Sequence, residues 1–190
     1  MVKNKKNNRV YFITVVSILS ALAIIFVLIG GAPIFVMFPN LKVDLSDVPA
    51  LIGSIIFSTN AGLLIELIKN LIHILKTNTL GIGELMALIV GSAIVISFSF
   101  PLKWLRKNFS LNSSFLCSYG FCIIFTSIIA ILANSIVYPL FLLSVSSVVV
   151  TKSVMWTYLL AVLVVTFVRV SITVLISYLV IKSLKLLINQ

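Results

Sequence analysis

Apolar residues fall into five long runs, about Tyr11–Gly30, Val48–Leu75, Ile82–Leu102, Phe115–Val137 and Met155–Ile181, separated by short segments that hold most of the charge. A hydrocarbon core about 30 Å thick takes roughly 20 residues of helix, so each run is long enough to cross it once. The second run is ambiguous. Its middle, "FSTNAG" from Phe57 to Gly62, clusters Ser, Thr, Asn and Gly as a turn does, which predicts two helices, each short for a full span. Such helices need tilt, a thin spot in the bilayer or burial against neighbours.

Lys and Arg decide between five spans and six, because cytoplasmic loops carry the excess of them. With the second run broken, Lys3, Lys5, Lys6, Arg9, Lys103, Arg106, Lys107, Lys182 and Lys185 lie inside. Lys42, Lys76 and Lys152 lie outside, and Lys69 and Arg169 fall within the membrane. With the run unbroken the later loops invert and the loop and tail count becomes six against six. The expected fold is therefore an all-α membrane protein, one domain over residues 1–190 with six transmembrane helices and both termini cytoplasmic. A multi-pass protein of the cell membrane is expected. The basic start "MVKNKKNNR" resembles the charged region of a signal peptide, but no small-residue cleavage site follows the apolar stretch, so a retained first helix is expected.

The outer connections are then Gly31–Asp47, Lys76–Gly81 and about Tyr138–Val154. In the first, "DLSDVP" offers Asp44, Ser46 and Asp47 to cap the next helix, with Pro49 in its first turn. A loop tied down in this way reads as a lid or as a simple helix start.

Glu66, Lys69, Asn70 and His73 recur at i, i+3, i+4 and i+7 and so share one helix face. That face turns inward, since ionisable groups at bilayer depth avoid lipid, and Glu66 can neutralise Lys69 as an internal pair. The set reads as an interhelical polar seam or as a ligand site. Arg169 lies deep in "LLAVLVVTFVRVSITVLISYLV", too far from the basic end to snorkel, with Thr166 and Thr173 one turn to either side. Its guanidinium needs an anionic or carbonyl-rich ligand, or an internal acid, Glu84 or Glu66.

Asn134, just before "SIVYPL", can orient a flat heterocycle together with Tyr138, or can be a helix-end amide beside an interfacial tyrosine. Glu84, in "GIGELMALIVG", falls in the first turn of its helix, where a carboxylate suits the dipole. Small residues four apart, Ser17 and Ala21 in the first helix and Ala87 and Gly91 in the fourth, allow helices to approach closely. They give the first helix a docking face for another membrane protein.

Composition sharpens this picture. The chain is 61% hydrophobic and 9% charged, with a mean hydropathy of +1.27, against roughly 25% charged residues in a soluble domain. A net charge of +10 would suggest nucleic acid in a soluble protein. At the ends of apolar runs it serves topology and contact with anionic lipid instead, and no nucleic-acid partner is expected. One histidine and four acids, Asp44, Asp47, Glu66 and Glu84, are a poor inventory for catalysis, so neither an enzyme nor a metal or other cofactor is expected. Cys117 and Cys122, five apart, make neither a CxxC motif nor a tetrahedral metal site.

The stretch "LKVDLSDVPALIGSIIFSTNAGLLIELIKNLIHIL", followed by "GIGELMALIVG" and by the "N…P-L" of the fifth run, resembles the riboflavin-type substrate-binding (S) components of energy-coupling factor (ECF) vitamin transporters. The resemblance implies a six-helix protein that binds a vitamin tightly from outside, in a cavity under the first outer loop, and has no pump of its own. It implies a transmembrane coupling protein and two cytoplasmic ATPases as partners, an ABC-type assembly in which the S component topples to release its cargo. The family's Ala-xxx-Ala docking motif falls at Ser17 and Ala21.

The substrate-binding positions expected from the resemblance and the polar pattern together are Asn134, Thr166, Arg169, Glu84, Ala87 and Tyr138, with Leu41, Val43 and Asp44 from the loop. Two places depart from the riboflavin pattern. The last helix of riboflavin binders resembles "F-N-x-x-K", where this chain has Thr166 and Arg169, and the fourth resembles "GELANF", where it has Met86, Ala87 and Leu88. The expected ligand is therefore riboflavin, or else a related vitamin or precursor. The reading from another class, an autonomous secondary transporter or channel using Glu66, Lys69 and Arg169 as an ion path, is weakened by the short chain and the lack of an internal repeat.

Overall fold

The computed structural model describes residues 5–38, 41–76, 81–146 and 151–188. Six helices follow one another, α1 Lys5–Ile29, α2 Asp47–Ile56, α3 Thr59–Ile74, α4 Ile82–Leu105, α5 Leu111–Ser146 and α6 Lys152–Ile188. The helix count is the one expected. Between α1 and α2 lies a small antiparallel hairpin, β1 Ala32–Pro33 and β2 Lys42–Val43, with Ala32 opposite Val43. Strands of two residues are too short to leave a period in the sequence, which is why the hairpin was not expected.

Four of the helices, α1, α4, α5 and α6, are long and apolar enough to cross a membrane. The other two are not. α2 and α3 have 10 and 16 residues, which rise only about 15 and 24 Å. The break between them falls within the polar cluster, at Phe57 and Ser58, and Ser58 caps α3 by accepting a hydrogen bond from the Ala61 amide at 3.2 Å.

A ten-residue helix is tolerable because protein, not lipid, surrounds it. α2 touches α1, α3, α4 and α6, and every residue from Asp47 to Ser54 is buried. Its first two turns therefore need no lipid-facing span of their own. Small residues make the crossings close: a Cβ on Gly62 of α3 would sit 2.7 Å from the Ala50 carbonyl oxygen of α2 and 2.8 Å from a Val95 methyl of α4.

α4, α5 and α6 pack in series around Ile94, Phe98, Phe115, Val162 and Val170. Within that core the Ser97 hydroxyl donates to the Ala93 carbonyl at 2.5 Å, with Thr126 and Cys122 of α5 beside it at 3.3 Å. Cys122 is thus a packing residue, and Cys117 is exposed.

Two expectations need correction. α5 does not stop near Val137 but continues through Pro139 to Ser146, so the last connection is shorter than Tyr138–Val154, and its residues 147–150 lie outside the described residues. Proline removes one amide donor, and near a helix end the carbonyl left without its partner can be satisfied by water or a side chain. In "DLSDVP" the expected caps are used otherwise. Ser46 sits at the N-cap of α2 without a side-chain capping bond, while Asp44 accepts from the Ser46 amide at 2.9 Å and from its hydroxyl at 2.5 Å, a local turn. Pro49 does lie in the first turn of α2.

Gly62→Val should lower thermal stability by about 1–3 kcal/mol in detergent unfolding, because its side chain would have to force α2 and α4 apart. A comparable change at exposed Gly120, where nothing lies within 4 Å of the added carbon, should cost much less.

Candidate ligand-binding cavity

The polar residues singled out from the sequence converge at the hairpin end of the bundle. Asp47, the first residue of α2, is fully buried, and its carboxylate receives both intramembrane cations. Arg169 of α6 donates Nε to Oδ2 at 2.6 Å and Nη2 to Oδ1 at 2.9 Å, a bidentate pair. Lys69 of α3 donates to Asp47 Oδ1 at 2.6 Å.

Lys69 also lies 2.7 Å from Glu66 Oε2 and 3.2 Å from Ser46 Oγ, so all three of its ammonium protons have partners. Arg169 therefore pairs with Asp47, not with Glu84 or Glu66 as the sequence suggested. Those two acids were weighed because they lie in apolar runs. Asp47 looked like a surface cap, and only the burial of α2 carries it to the depth of Arg169.

Two acids and two cations close into a cluster with no net formal charge. Glu66 is the least saturated member. Asn70 Nδ2 reaches its Oε2 at 3.4 Å, while Oε1 has no hydrogen-bond partner among the described residues. The carboxylate rests on Gly91 of α4, where a methyl group would overlap it. The small residue at position 91 thus makes room for an acid, beyond letting helices approach.

One turn further along α3, His73 Nδ1 lies 3.2 Å from Glu84 Oε1, which ties α3 to the start of α4. Glu84 does occupy the first turn of α4, as expected. The inward face predicted for α3 is buried at Glu66, Lys69 and Asn70 and half-exposed at His73.

Above this cluster lies a cavity of about 540 Å³, within the range that takes a drug-sized ligand. Leu41, Lys42 and Asp44 of the hairpin segment cover it. Lys69, Asn70 and His73 of α3 line one side, and Glu84, Met86, Ala87 and Val90 of α4 the next. Asn134, Val137 and Tyr138 of α5 and Tyr158, Val162, Thr166 and Arg169 of α6 line a third side, and Val27 and Leu28 of α1 also border the space.

Of the nine positions expected to bind substrate, Leu41, Asp44, Glu84, Ala87, Asn134, Tyr138, Thr166 and Arg169 therefore border one space. Val43 does not. It pairs with Ala32 in the hairpin, and alternation along the strand directs it away from the side that Lys42 and Asp44 present.

Tyr158 was not anticipated. Its hydroxyl donates to Asn134 Oδ1 at 2.8 Å and its ring stacks on Tyr138, with centroids 3.6 Å apart and planes 9° from parallel. Phe38, from the hairpin segment, meets the same ring edge-on at 5.3 Å. A spacing signal was available, since Tyr158, Val162 and Thr166 follow at intervals of four and share a face with Arg169. On α1, Ser17 and Ala21 are exposed and point away from the bundle, while Val16, Ser20 and Ala23 face into it.

A cavity lined by convergent polar groups, in a six-helix bundle of which four helices can cross a membrane, is the architecture of a membrane protein with an internal pocket. Comparison with known proteins makes the class specific. Residues 11–181 match the family "ECF transporter, substrate-specific component", and the chain belongs to that family. The family is a transporter component, not an enzyme.

The chain is similar to the riboflavin transporter FmnP of Bacillus subtilis (strain 168), 32% identical over 124 residues, 62% of this chain and 63% of that protein. It is also similar to the riboflavin transporter RibU of Staphylococcus aureus (strain TCH60), 28% identical over 126 residues, 66% of this chain and 65% of that protein. The matched stretches thus span just under two thirds of either relative. Its fold matches a solved S component of a bacterial ECF transporter with a TM-score of 0.79 at 20% identity, over 96% of this chain and 99% of that one.

Removing one member of the buried ion cluster should be costly. Asp47→Ala leaves Lys69 and Arg169 with one acid, Glu66, between them and should lower stability by about 3–5 kcal/mol in a thermal unfolding assay. Asp47→Ala combined with Arg169→Met leaves Lys69 balanced by Glu66, and should be more stable than Asp47→Ala alone.

Proposed function

We propose that the protein is the vitamin-capturing subunit of an ECF importer in a bacterial plasma membrane, and that its ligand is riboflavin. The observation that carries this reading is the convergence on one cavity of eight of the nine positions selected for ligand contact. The cavity has the composition a flat, amphipathic heterocycle requires: aromatic and aliphatic walls, amides at Asn70 and Asn134, and hydroxyls at Ser46, Tyr138, Tyr158 and Thr166. That two similar proteins are named riboflavin transporters supports the choice of ligand.

The cavity end faces outward in this reading, with both termini in the cytoplasm. Lys103, Arg106 and Lys107 follow the far end of α4, which agrees with a cytoplasmic excess of basic residues. The hairpin segment acts as the roof that holds the vitamin, and Asn134 and Thr166 face its ring system. Translocation is supplied by a coupling protein and two ATPases. The coupling protein docks on the exposed face of α1, where Ser17 and Ala21 keep the surface low enough for a second helix to approach closely.

Protein purified from cells grown with riboflavin should be yellow, with the visible spectrum of a flavin, and should quench added riboflavin fluorescence. A colourless protein that quenches nothing would refute riboflavin as the ligand. Another vitamin or precursor, suggested by Thr166, Arg169 and Ala87, would then come first.

Ala21→Leu should abolish uptake in cells and co-purification with the ATPase module while leaving riboflavin binding unchanged. Loss of binding in that variant would contradict the separation of docking face from cavity.

A further inference from the structure

Asn134 has only one way to sit, and Tyr158 is the reason. Asn134 Nδ2 lies 2.8 Å from the Ala130 carbonyl oxygen, which can only accept a hydrogen bond, so the amide nitrogen must face it. Oδ1 then faces the Tyr158 hydroxyl at 2.8 Å, and the phenol must be the donor. Both ends of the amide are anchored and both residues are nine-tenths buried, Asn134 at 8% and Tyr158 at 5% exposure. The Tyr158 ring is itself packed on two sides, stacked on Tyr138 and met edge-on by Phe38. Anchoring leaves one N–H and one lone pair of Asn134, a donor and an acceptor on the same amide, unused by the protein contacts described here.

We infer that Tyr158 is a positioning residue. By fixing the amide of Asn134 it makes the cavity selective for ligands that carry a ring carbonyl next to a ring N–H, the edge of a cyclic amide or imide. The inference rests on the proposed capture of a flat vitamin, and it adds a residue and a rule of selection. A donor bonded to Oδ1 polarises the amide and strengthens its remaining N–H as a donor. Without the phenol the carbonyl oxygen loses its fixed partner and the acceptor is no longer aimed at the ligand's N–H.

The test uses the intact protein in detergent, with riboflavin and with 3-methylriboflavin, in which the imide N–H is replaced by N–CH₃. The wild type should prefer riboflavin by about tenfold, the worth of one well-placed hydrogen bond. In Tyr158→Phe, which keeps the ring and its stacking, that preference should shrink about threefold or more. Met86→Ala, which trims the cavity wall on α4 and leaves the stacked tyrosines in place, should weaken both ligands and leave their ratio unchanged.

A ratio unaltered by Tyr158→Phe in a protein that binds riboflavin would overturn the inference. If the wild type binds no riboflavin, the ligand reading fails, and the lock is decided without ligand by melting temperatures of Tyr158→Phe, Asn134→Ala and the double variant. Losses that are not additive sustain the lock, and additive losses overturn it.

Discussion

Asp47 is the residue on which the bundle depends. It carries one negative charge at the head of a ten-residue helix, buried to zero exposure, and it binds cations from two other helices. An unpaired carboxylate in that place would cost several kcal/mol, and an unpaired Arg169 or Lys69 would cost as much. Each charge is tolerable only because the others are there. The consequence is positional: α2, α3 and α6 cannot separate without stranding a charge in an apolar interior. A helix too short to be fixed by membrane thickness is fixed by its ionic neighbours instead.

The same cluster shapes the cavity beside it. Lys69 and Arg169 border the space, yet most of their donors point to protein acceptors behind the wall. The cavity is therefore polar without presenting a bare ammonium group on Lys69. An open ion path would need charges free to exchange partners. Here they close on themselves, in keeping with the membership of the chain in a family of binding components.

Much of this was legible in the sequence, and what was hidden has a physical cause. The helix count could be read because hydropathy marked the runs and "FSTNAG" marked the break, where Ser58 now caps α3. The shared face of Glu66, Lys69 and Asn70 followed from helical spacing alone. The partner of Arg169 could not be read in the same way. Asp47 precedes Arg169 by 122 residues, and local pattern reports only on near neighbours.

A charge tally would have narrowed the choice. Two intramembrane cations faced one acid on the same helix, Glu66, and a second acid had to be buried somewhere. Asp47 was passed over because an acid before an apolar helix is so often a cap. Tyr158 is hidden for the opposite reason: a tyrosine near a helix start in a membrane protein is so common that its four-residue spacing from Val162 and Thr166 carries little signal.

The departure at the last helix gains meaning from this geometry. An arginine in place of a lysine brings a planar fork that matches one carboxylate with two parallel bonds, and Asp47 receives both. A lysine could not satisfy two Asp47 oxygens in that planar way. The arginine therefore holds α6 against α2 through both Asp47 oxygens. Another part of the cavity wall carries Asn134, Tyr138 and Tyr158. That wall is built from α5 and the start of α6, and Phe38 of the hairpin segment packs on it. The Tyr158 ring thus ties the hairpin segment to the cavity wall, since Phe38 meets it edge-on while Tyr138 stacks on it.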